Sequence, residues 1–406
     1  MSPQQCTKTV RPNFRLGTLD GLHPMIPNIK LFFKTIYISF FKSKGTPGRL
    51  TPKRFFVLLF IFLFYPFWQF SIRFAYGLDN LFFPHLKDQD IQQPIFIIGN
   101  FRSGTTLLHR LLAKDERTTG MHSWEIYIAP SVIQRKFIHW VMKVNRLIGN
   151  PIDHLLKAFD KALQEYSYMH PTGLKEIEED SHVMLHIWST YNLFAFFPFP
   201  ELIHNYIYYD DQIPEDQKKN DMAYYREVLK RHVYANGGKR YISKSPTFSA
   251  KVRTLHQQFP DAKFINLVRS PRNVIPSSVS MYSNHWRTYG DPEEEYPKPA
   301  SKVIMEQARH WYIYPHRYLK NLPENQYMLV QYDDLTADPE GTITQIYHQL
   351  EIEMTPEYRE ILHAESERSK NYKSSHSYSL GKMGLSDKQI DKEVKMPVVR
   401  QHVPLK

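Results

Sequence analysis

Apolar residues along the chain fall into runs of different character. From Phe55 to Ile72, FFVLLFIFLFYPFWQFSI carries 18 residues without a charge, the length at which a helix begins to cross a bilayer. An earlier stretch, LFFKTIYISFF from Leu31 to Phe41, mixes aromatic rings with lysine and suits the headgroup zone of a membrane. After the polar linker KDQDIQQP (87–94) the pattern changes to short greasy runs separated by helical spacing. Pro94 to Ile98, KRYISK (239–244), AKFINLVR (262–269) and YMLVQYDDL (327–335) read as buried strands. Leu107, Leu108, Leu111 and Leu112 recur at helical spacing. Further helices are predicted from about Ser249 to Phe259 and from Pro339 to about Leu350. Strands alternating with helices predict an α/β fold with a central parallel sheet, in which ligands bind at the carboxyl ends of strands. Residues 121–235 read as a helical insertion rich in Tyr, Phe, His and Trp, without strong strand signals.

One of those strand ends stands out. In PIFIIGNFRSGTTLLHRLL (94–112) a strand runs into a Gly-Ser-Thr loop and then a helix. Such a junction aims unpaired backbone N–H groups and the positive end of a helix dipole at one spot, a natural anion site. Gly99-x4-Gly104-Thr105-Thr106 falls one residue short of a Walker A loop, because Thr105 stands where the phosphate-gripping lysine belongs. Arg102 is the cation available instead, and Ser103, Thr105 and Thr106 supply hydroxyls. The fold expected is therefore P-loop-like. A nucleotide kinase or NTPase is the competing reading, but it needs that lysine and a magnesium-binding Asp, and neither is evident.

Charge and cysteine narrow the setting. The 406 residues carry a net charge of +11 with 42% hydrophobic content, enough for one large domain with appendages. Ten of the Lys and Arg residues lie in residues 1–54 against the single acid Asp20. Cys6, the lone cysteine, rules out an intrachain disulfide and fits a reducing compartment. Residues 1–88 thus read as a basic, aromatic membrane-association region, with 55–72 either spanning or lying in one leaflet. A secretory signal peptide would start near residue 1 and end in small residues, unlike this segment. Pro66 and Gln69 favour a shallow insertion. A buried core helix is the bland alternative.

A second strand, turn and helix, INLVRSPRNVIPSSVSMY (265–282), places Arg269 at a strand end and Ser277 eight residues later. Together they can grip a phosphate through a guanidinium and a hydroxyl. The pair FRSGTT (101–106) and Arg269-x7-Ser277 resembles the sulfotransferase superfamily, whose donor is 3′-phosphoadenosine 5′-phosphosulfate. With KSP (244–246), Trp124-Glu125 and QYDDL (331–335), the chain is most similar to the branch that includes tyrosylprotein sulfotransferases and their bacterial relatives. The similarity covers roughly residues 92–350. It implies that Arg102, Ser103, Gly104, Thr105 and Thr106 cradle the 5′-phosphosulfate. Arg269 and Ser277 would hold the 3′-phosphate, and Tyr332 would contact the nucleotide. It also implies Glu125 as the base for the acceptor hydroxyl, with Lys244 and Arg102 as catalytic cations and no metal. Phe101 replaces the usual proline before Arg102, and Met281 stands where an arginine is usual.

Glu125 has rivals. His122 lies three residues away. EIEEDSHVMLH (176–186) brings Glu178, Glu179, His182 and His186 near one helical face. The E-x-x-H in it, with Glu360 and His363 as the only second candidate, raises a di-iron reading that a pocket-lining face outweighs. Residues 351–406, with YKSSHSYSLGKMGLS (372–386), could close over the donor or form a polar tail. The expectation is a membrane-associated enzyme moving a sulfuryl group to a hydroxyl or amine of a small, lipid-like acceptor. Its partners would be the donor, the acceptor and a membrane, not nucleic acid. Its catalytic domain would lie on the cytoplasmic face. A membrane-tethered scaffold without activity is the remaining alternative.

Overall fold

In the computed structural model, which describes residues 26–152, 176–290, 293–369 and 379–397, five strands form one parallel sheet. They are β1 (Ile95–Gly99), β2 (Thr118–Thr119), β3 (Arg240–Lys244), β4 (Lys263–Val268) and β5 (Tyr327–Gln331). Their order is β2-β3-β1-β4-β5. Ile97 pairs with Lys244 on one side and Ile265 on the other, and Gly99 pairs with Leu267. β1 is thus the central strand, and the chain leaves it first toward β3 and later toward β4. That reversal opens a crevice at the carboxyl end of β1, the expected ligand position in such sheets.

Alternation along β1 explains the layers. Ile95 and Ile97 face a core completed by Leu108, Leu111, Val330 and Ile343, whereas Phe96 and Ile98 face a larger one. All five residues of the strand are buried. Both faces of the sheet are therefore covered, as a parallel sheet requires.

The strand expected over 327–335 ends at Gln331. Tyr332–Ala337 is helical instead, with Asp333 and Asp334 in its first turn, where carboxylates favour a helix N-terminus. The helix expected from Ser249 to Phe259 divides into a 3₁₀ turn, Pro246–Ala250, and a helix, Val252–Gln258. β2 was not expected, because two residues carry no readable period.

Two helices precede the sheet. Asn28 caps α1 (Ile29–Phe41), and Thr51 caps α2 (Pro52–Phe82), whose Pro52 sits at the first turn, where its missing N–H costs nothing. Among the described residues α2 is the one helix long and apolar enough to cross a membrane by length and composition. One stripe of α2 is buried nevertheless: Arg54, Leu58, Tyr65, Gln69, Ile72, Tyr76 and Asp79. Next come α3 (Thr105–Leu112), α4 (Ser123–Tyr127), α5 (Val132–Leu147) and α6 (Glu215–Ala235). Asp79 accepts from the first amides of α5, Val132 at 3.0 Å and Ile133 at 2.8 Å, and from Arg231 of α6 at 3.2 Å.

Glu178, Glu179, His182 and His186 do not share an α-helical face. The segment Asp180–Ile187 is a 3₁₀ helix with Glu179 as its N-cap. At three residues per turn, His182 and His186 lie about 120° apart. His182 meets Tyr127 Oη at 2.7 Å, while the buried His186 bonds Tyr224 and the Ile126 carbonyl. Residues 379–397 pack on α7 (Pro271–Gly290) and α8 (Lys298–Leu319): Ser301 Oγ donates to the Met383 carbonyl at 2.7 Å, and Arg272 pairs with Asp391. Residues 372–378 of the C-terminal stretch, and Cys6, lie outside the described residues.

Candidate active site

The loop after β1 owes its shape to two glycines. Gly99 has φ of +148°, and a Cβ there would stand 2.3 Å from the Leu267 carbonyl oxygen. Gly104 has φ of +92° and caps α3, and a Cβ there would stand 2.4 Å from the Tyr332 ring. Between them Arg102 adopts φ of +65°, a conformation that costs a non-glycine residue on the order of 1 kcal/mol and is tolerated where a site needs it. Ser249 Oγ fastens the strand end, accepting from the Gly99 amide at 3.1 Å and donating to its carbonyl at 3.0 Å. Phe101 is buried among the Tyr191, Tyr282 and Trp311 rings and anchors the loop through packing.

The two sequence motifs meet across this loop. Arg102 Nε donates to Ser277 Oγ at 2.9 Å. Arg269 donates to the Arg102 carbonyl at 3.2 Å, and its guanidinium lies 4.1 Å from the centroid of Tyr332. Arg102, Ser103, Gly104, Arg269, Ser277 and Tyr332 thus form one constellation, with Thr105 and Thr106 opening α3 beside it. Ser103 Oγ and Arg269 Nε are buried without a hydrogen-bond partner among the described residues. Buried polar atoms left unpaired cost about 1–3 kcal/mol each, and an anion accepting from both would remove that cost. The residues present therefore fit a nucleotide with two phosphate-like ends. Met281 packs against the apolar core and contributes no charge here.

Lys244, at the end of β3, is 3% exposed and donates to Glu179 Oε1 at 3.0 Å. Asp180 holds this arrangement. It accepts from Ser243 Oγ at 2.8 Å and Tyr241 Oη at 3.1 Å, pinning the 3₁₀ segment to β3 beside Lys244. Burial raises the Asp180 carboxyl above its usual range, and the hydroxyl donors counter it. His109 of α3, which the sequence did not single out, is fully buried nearby. Burial first, and then the charge of Lys244, pushes its imidazole down to about 3, so it stays neutral.

Glu125 lies between His122 and Arg135. It is 5% exposed. Oε2 accepts from the His122 amide at 2.8 Å and meets His122 Nδ1 at 3.1 Å, while Oε1 lies 3.0 Å from the buried Arg135. Burial would raise this carboxyl, but the His122 hydrogen bonds and the Arg135 charge outweigh it and hold it at about 2. A carboxylate so stabilised accepts hydrogen bonds well and takes a proton poorly. Because it can only accept, a hydrogen on His122 Nδ1 points toward it, and Nε2 is the ring atom it does not engage. His122 bridges Ile177, two residues before Glu179. Arg135 was not evident from sequence, since only the packing of α5 brings it to Glu125.

Among the described residues no group of three or more His, Cys, Asp or Glu is placed to hold a metal ion. His363 pairs instead with Glu340 at 2.8 Å.

Comparisons with known proteins bear on the family and the fold. Residues 94–356 match the model of the Sulfotransferase family. Omega-hydroxy-beta-dihydromenaquinone-9 sulfotransferase Stf3 of Mycobacterium bovis, and its namesake from Mycobacterium tuberculosis, are 28% identical over 267 residues. That match spans 63% of this chain and 62% of theirs, so this chain spans less than two thirds of the length of these curated relatives. The crystal structure of sulfotransferase STF1 from Mycobacterium tuberculosis superposes with a TM-score of 0.67 at 20% identity, over 92% of this chain and 94% of that one. Sulfotransferase STF9 from Mycobacterium avium gives 0.63 at 16% identity, over 79% and 82%.

Proposed function

The chain belongs to the sulfotransferase family, and from that premise we propose that it is an enzyme moving a sulfuryl group from 3′-phosphoadenosine 5′-phosphosulfate to a hydroxyl of a lipid-like acceptor. The observation that carries this reading is the joining of two anion loops, with Arg102 Nε 2.9 Å from Ser277 Oγ and Arg269 stacked on Tyr332. The donor, when bound, supplies the activated sulfuryl group. The first amides of α3 with Arg102, Ser103, Thr105 and Thr106 bind its 5′ end, Arg269 and Ser277 its 3′-phosphate, and Tyr332 orients the base. Lys244 offsets charge on the oxygen that leaves. Glu179 holds the Lys244 ammonium before the donor arrives.

The acceptor proton needs a group that can take it. We assign that role to His122 Nε2, with Glu125 orienting the ring through Nδ1. In this reading Glu125 serves as a positioning residue instead of touching the acceptor. A double-mutant cycle separates the roles. His122→Gln should lower kcat by about 10²–10⁴ with the donor KM little changed, and Glu125→Gln should add little once His122 is gone. Fully additive losses would mean that Glu125 acts on its own. The lipid-like acceptor is suggested by the Stf3 relatives, named for a hydroxylated dihydromenaquinone, and by the apolar α2, whose Trp68 bonds the Tyr127 carbonyl of α4. Donor synthesis in the cytoplasm and the single cysteine favour a cytoplasmic catalytic face.

Isothermal titration with 3′-phosphoadenosine 5′-phosphate and with ATP tests the donor class. Binding of the bisphosphate in preference to ATP is expected; magnesium-dependent preference for ATP would favour a kinase, and binding of neither a scaffold. Labelled donor with lipid extracts then tests the acceptor, and incorporation only into water-soluble glycans or peptides would overturn the lipid reading.

A further inference from the structure

α2 carries two opposite stripes. The buried one is tied to the catalytic body at both ends and in the middle. Arg54 donates to the Tyr289 carbonyl at 3.3 Å, Tyr65 Oη to the His186 carbonyl at 3.0 Å, and Trp68 Nε1 to the Tyr127 carbonyl at 2.9 Å. Near the far end lies Asp79, fully buried with Arg231. At 1.5 Å per residue, Arg54 to Asp79 is about 37 Å, more than the roughly 30 Å of a bilayer's hydrocarbon core. A helix fastened along that length cannot cross a bilayer unless the body, with its buried Asp79–Arg231 pair, crosses too.

The other stripe faces outward. Phe56, Phe60, Leu63, Phe67, Phe70 and Phe74 recur every three or four residues and are 59–73% exposed. Alongside, α1 packs on α2 through Phe32 and Phe62, with rings 5.7 Å apart, and exposes Ile29, Phe33, Tyr37 and Phe41 at four-residue spacing. Contiguous apolar surface on this scale marks an interaction site. Its charge chooses the occupant. Residues 26–78 contain eight Lys and Arg residues and no Asp or Glu, and Lys30, Lys34, Lys42, Lys44, Lys53 and Arg73 are exposed. A second copy would bring the same cations face to face, whereas an anionic bilayer complements both the rings and the charge.

We propose that α1 and α2 together form a membrane-docking face that lies in the plane of an anionic bilayer, with α2 embedded lengthwise in one leaflet and never crossing it. The surface stands apart from the donor site, so this proposal does not depend on the sulfotransferase chemistry. It does bear on the acceptor. Trp68 of the docking helix bonds the Tyr127 carbonyl, and the Tyr127 hydroxyl meets His182 at 2.7 Å in the segment that carries Glu179. These contacts link the docking face to the segment whose Glu179 pairs with Lys244.

The full chain, purified in detergent and mixed with vesicles, provides the test. Flotation with phosphatidylcholine vesicles containing a third phosphatidylglycerol is expected, weakening as salt rises. Phe60→Glu with Phe67→Glu should reduce vesicle binding by at least about tenfold, since two rings leave the embedded stripe and two charges enter it. Binding of 3′-phosphoadenosine 5′-phosphate by the variant serves as the check that the body is folded, and its absence in the parent too would count against the donor reading alone. No flotation of the parent, parental flotation of the folded variant, or dimerisation by the same residues without vesicle binding would each overturn the proposal. Topology in cells completes it. An impermeant maleimide on Cys6 and a protease on the body should both act from one side of the membrane, and labelling of Cys6 from the side opposite to proteolysis would mean that α2 spans.

Discussion

Arg269 combines three features that only the folded chain brings together: contact with the Tyr332 ring at 4.1 Å, a bond to the Arg102 carbonyl at 3.2 Å, and a buried Nε with no hydrogen-bond partner among the described residues. Arg269→Ala should therefore weaken binding of 3′-phosphoadenosine 5′-phosphate by about 1.5–3 kcal/mol, roughly 10- to 150-fold by calorimetry. It should also erase much of the preference over adenosine 5′-phosphate, and an intact preference would mean that another cation holds the 3′-phosphate. Glu125 predicts an effect on stability as well as turnover. Its carboxyl lies at about 2 in the fold against 4.5 for the ordinary group. The lowered value means that its stabilising contribution is present above pH 4.5 and is lost as pH falls toward 2. Glu125→Gln should flatten thermal stability across that acid range, and equal acid sensitivity of the two proteins would contradict the buried ion pair. At this scale the sequence was readable where a residue's role follows from its place in a strand–loop–helix junction, as for Arg102 and Ser277. It was silent where a partner arrives by packing, as Arg135 does at Glu125 or Asp180 at Ser243.

At the scale of elements, the anion loop is a backbone device. Gly104 leaves room for the Tyr332 ring, and its left-handed φ suits only glycine. Gly104→Ala should push Tyr332 aside and sharply reduce nucleotide binding while the sheet and its melting cooperativity survive. Nucleotide affinity at the parental level would show that Tyr332 is free to move without cost. Strand β1 was legible because a fully buried parallel strand is a continuous apolar run, whereas β3 and β4 show only short apolar runs among polar residues. The end of β5 was not legible, since YDDL follows the strand with no Gly or Pro to mark a break yet begins a helix through its acidic first turn. α2 misleads for a related reason. A window of hydropathy registers composition, but Arg54, Gln69 and Asp79 lie at helical spacing on the face that docks against the body, and only a period of 3.6 separates that face from the outward phenylalanines.

At the scale of the whole molecule, the sheet order sets where chemistry can occur. β1 lies between β3 and β4, so the first anion loop, Lys244 and Arg269 all emerge at adjacent strand ends although they come from distant parts of the chain. The same order has a consequence for the protein's birth. Ile95 finds its strand partner at Ile242, about 150 residues later, which a ribosome adding 5–20 residues per second delivers after roughly 7–30 s. Throughout that interval the most apolar strand of the nascent chain has no neighbour, and the outward aromatic stripe of α2 is already out of the tunnel. Early capture by a chaperone or by the membrane itself would protect both. Nascent chains stalled before residue 240 should remain open to protease along β1, with resistance appearing only once β3 and then β4 have emerged; resistance gained before β3 emerges would mean that the N-terminal helices and β1 form a stable unit of their own.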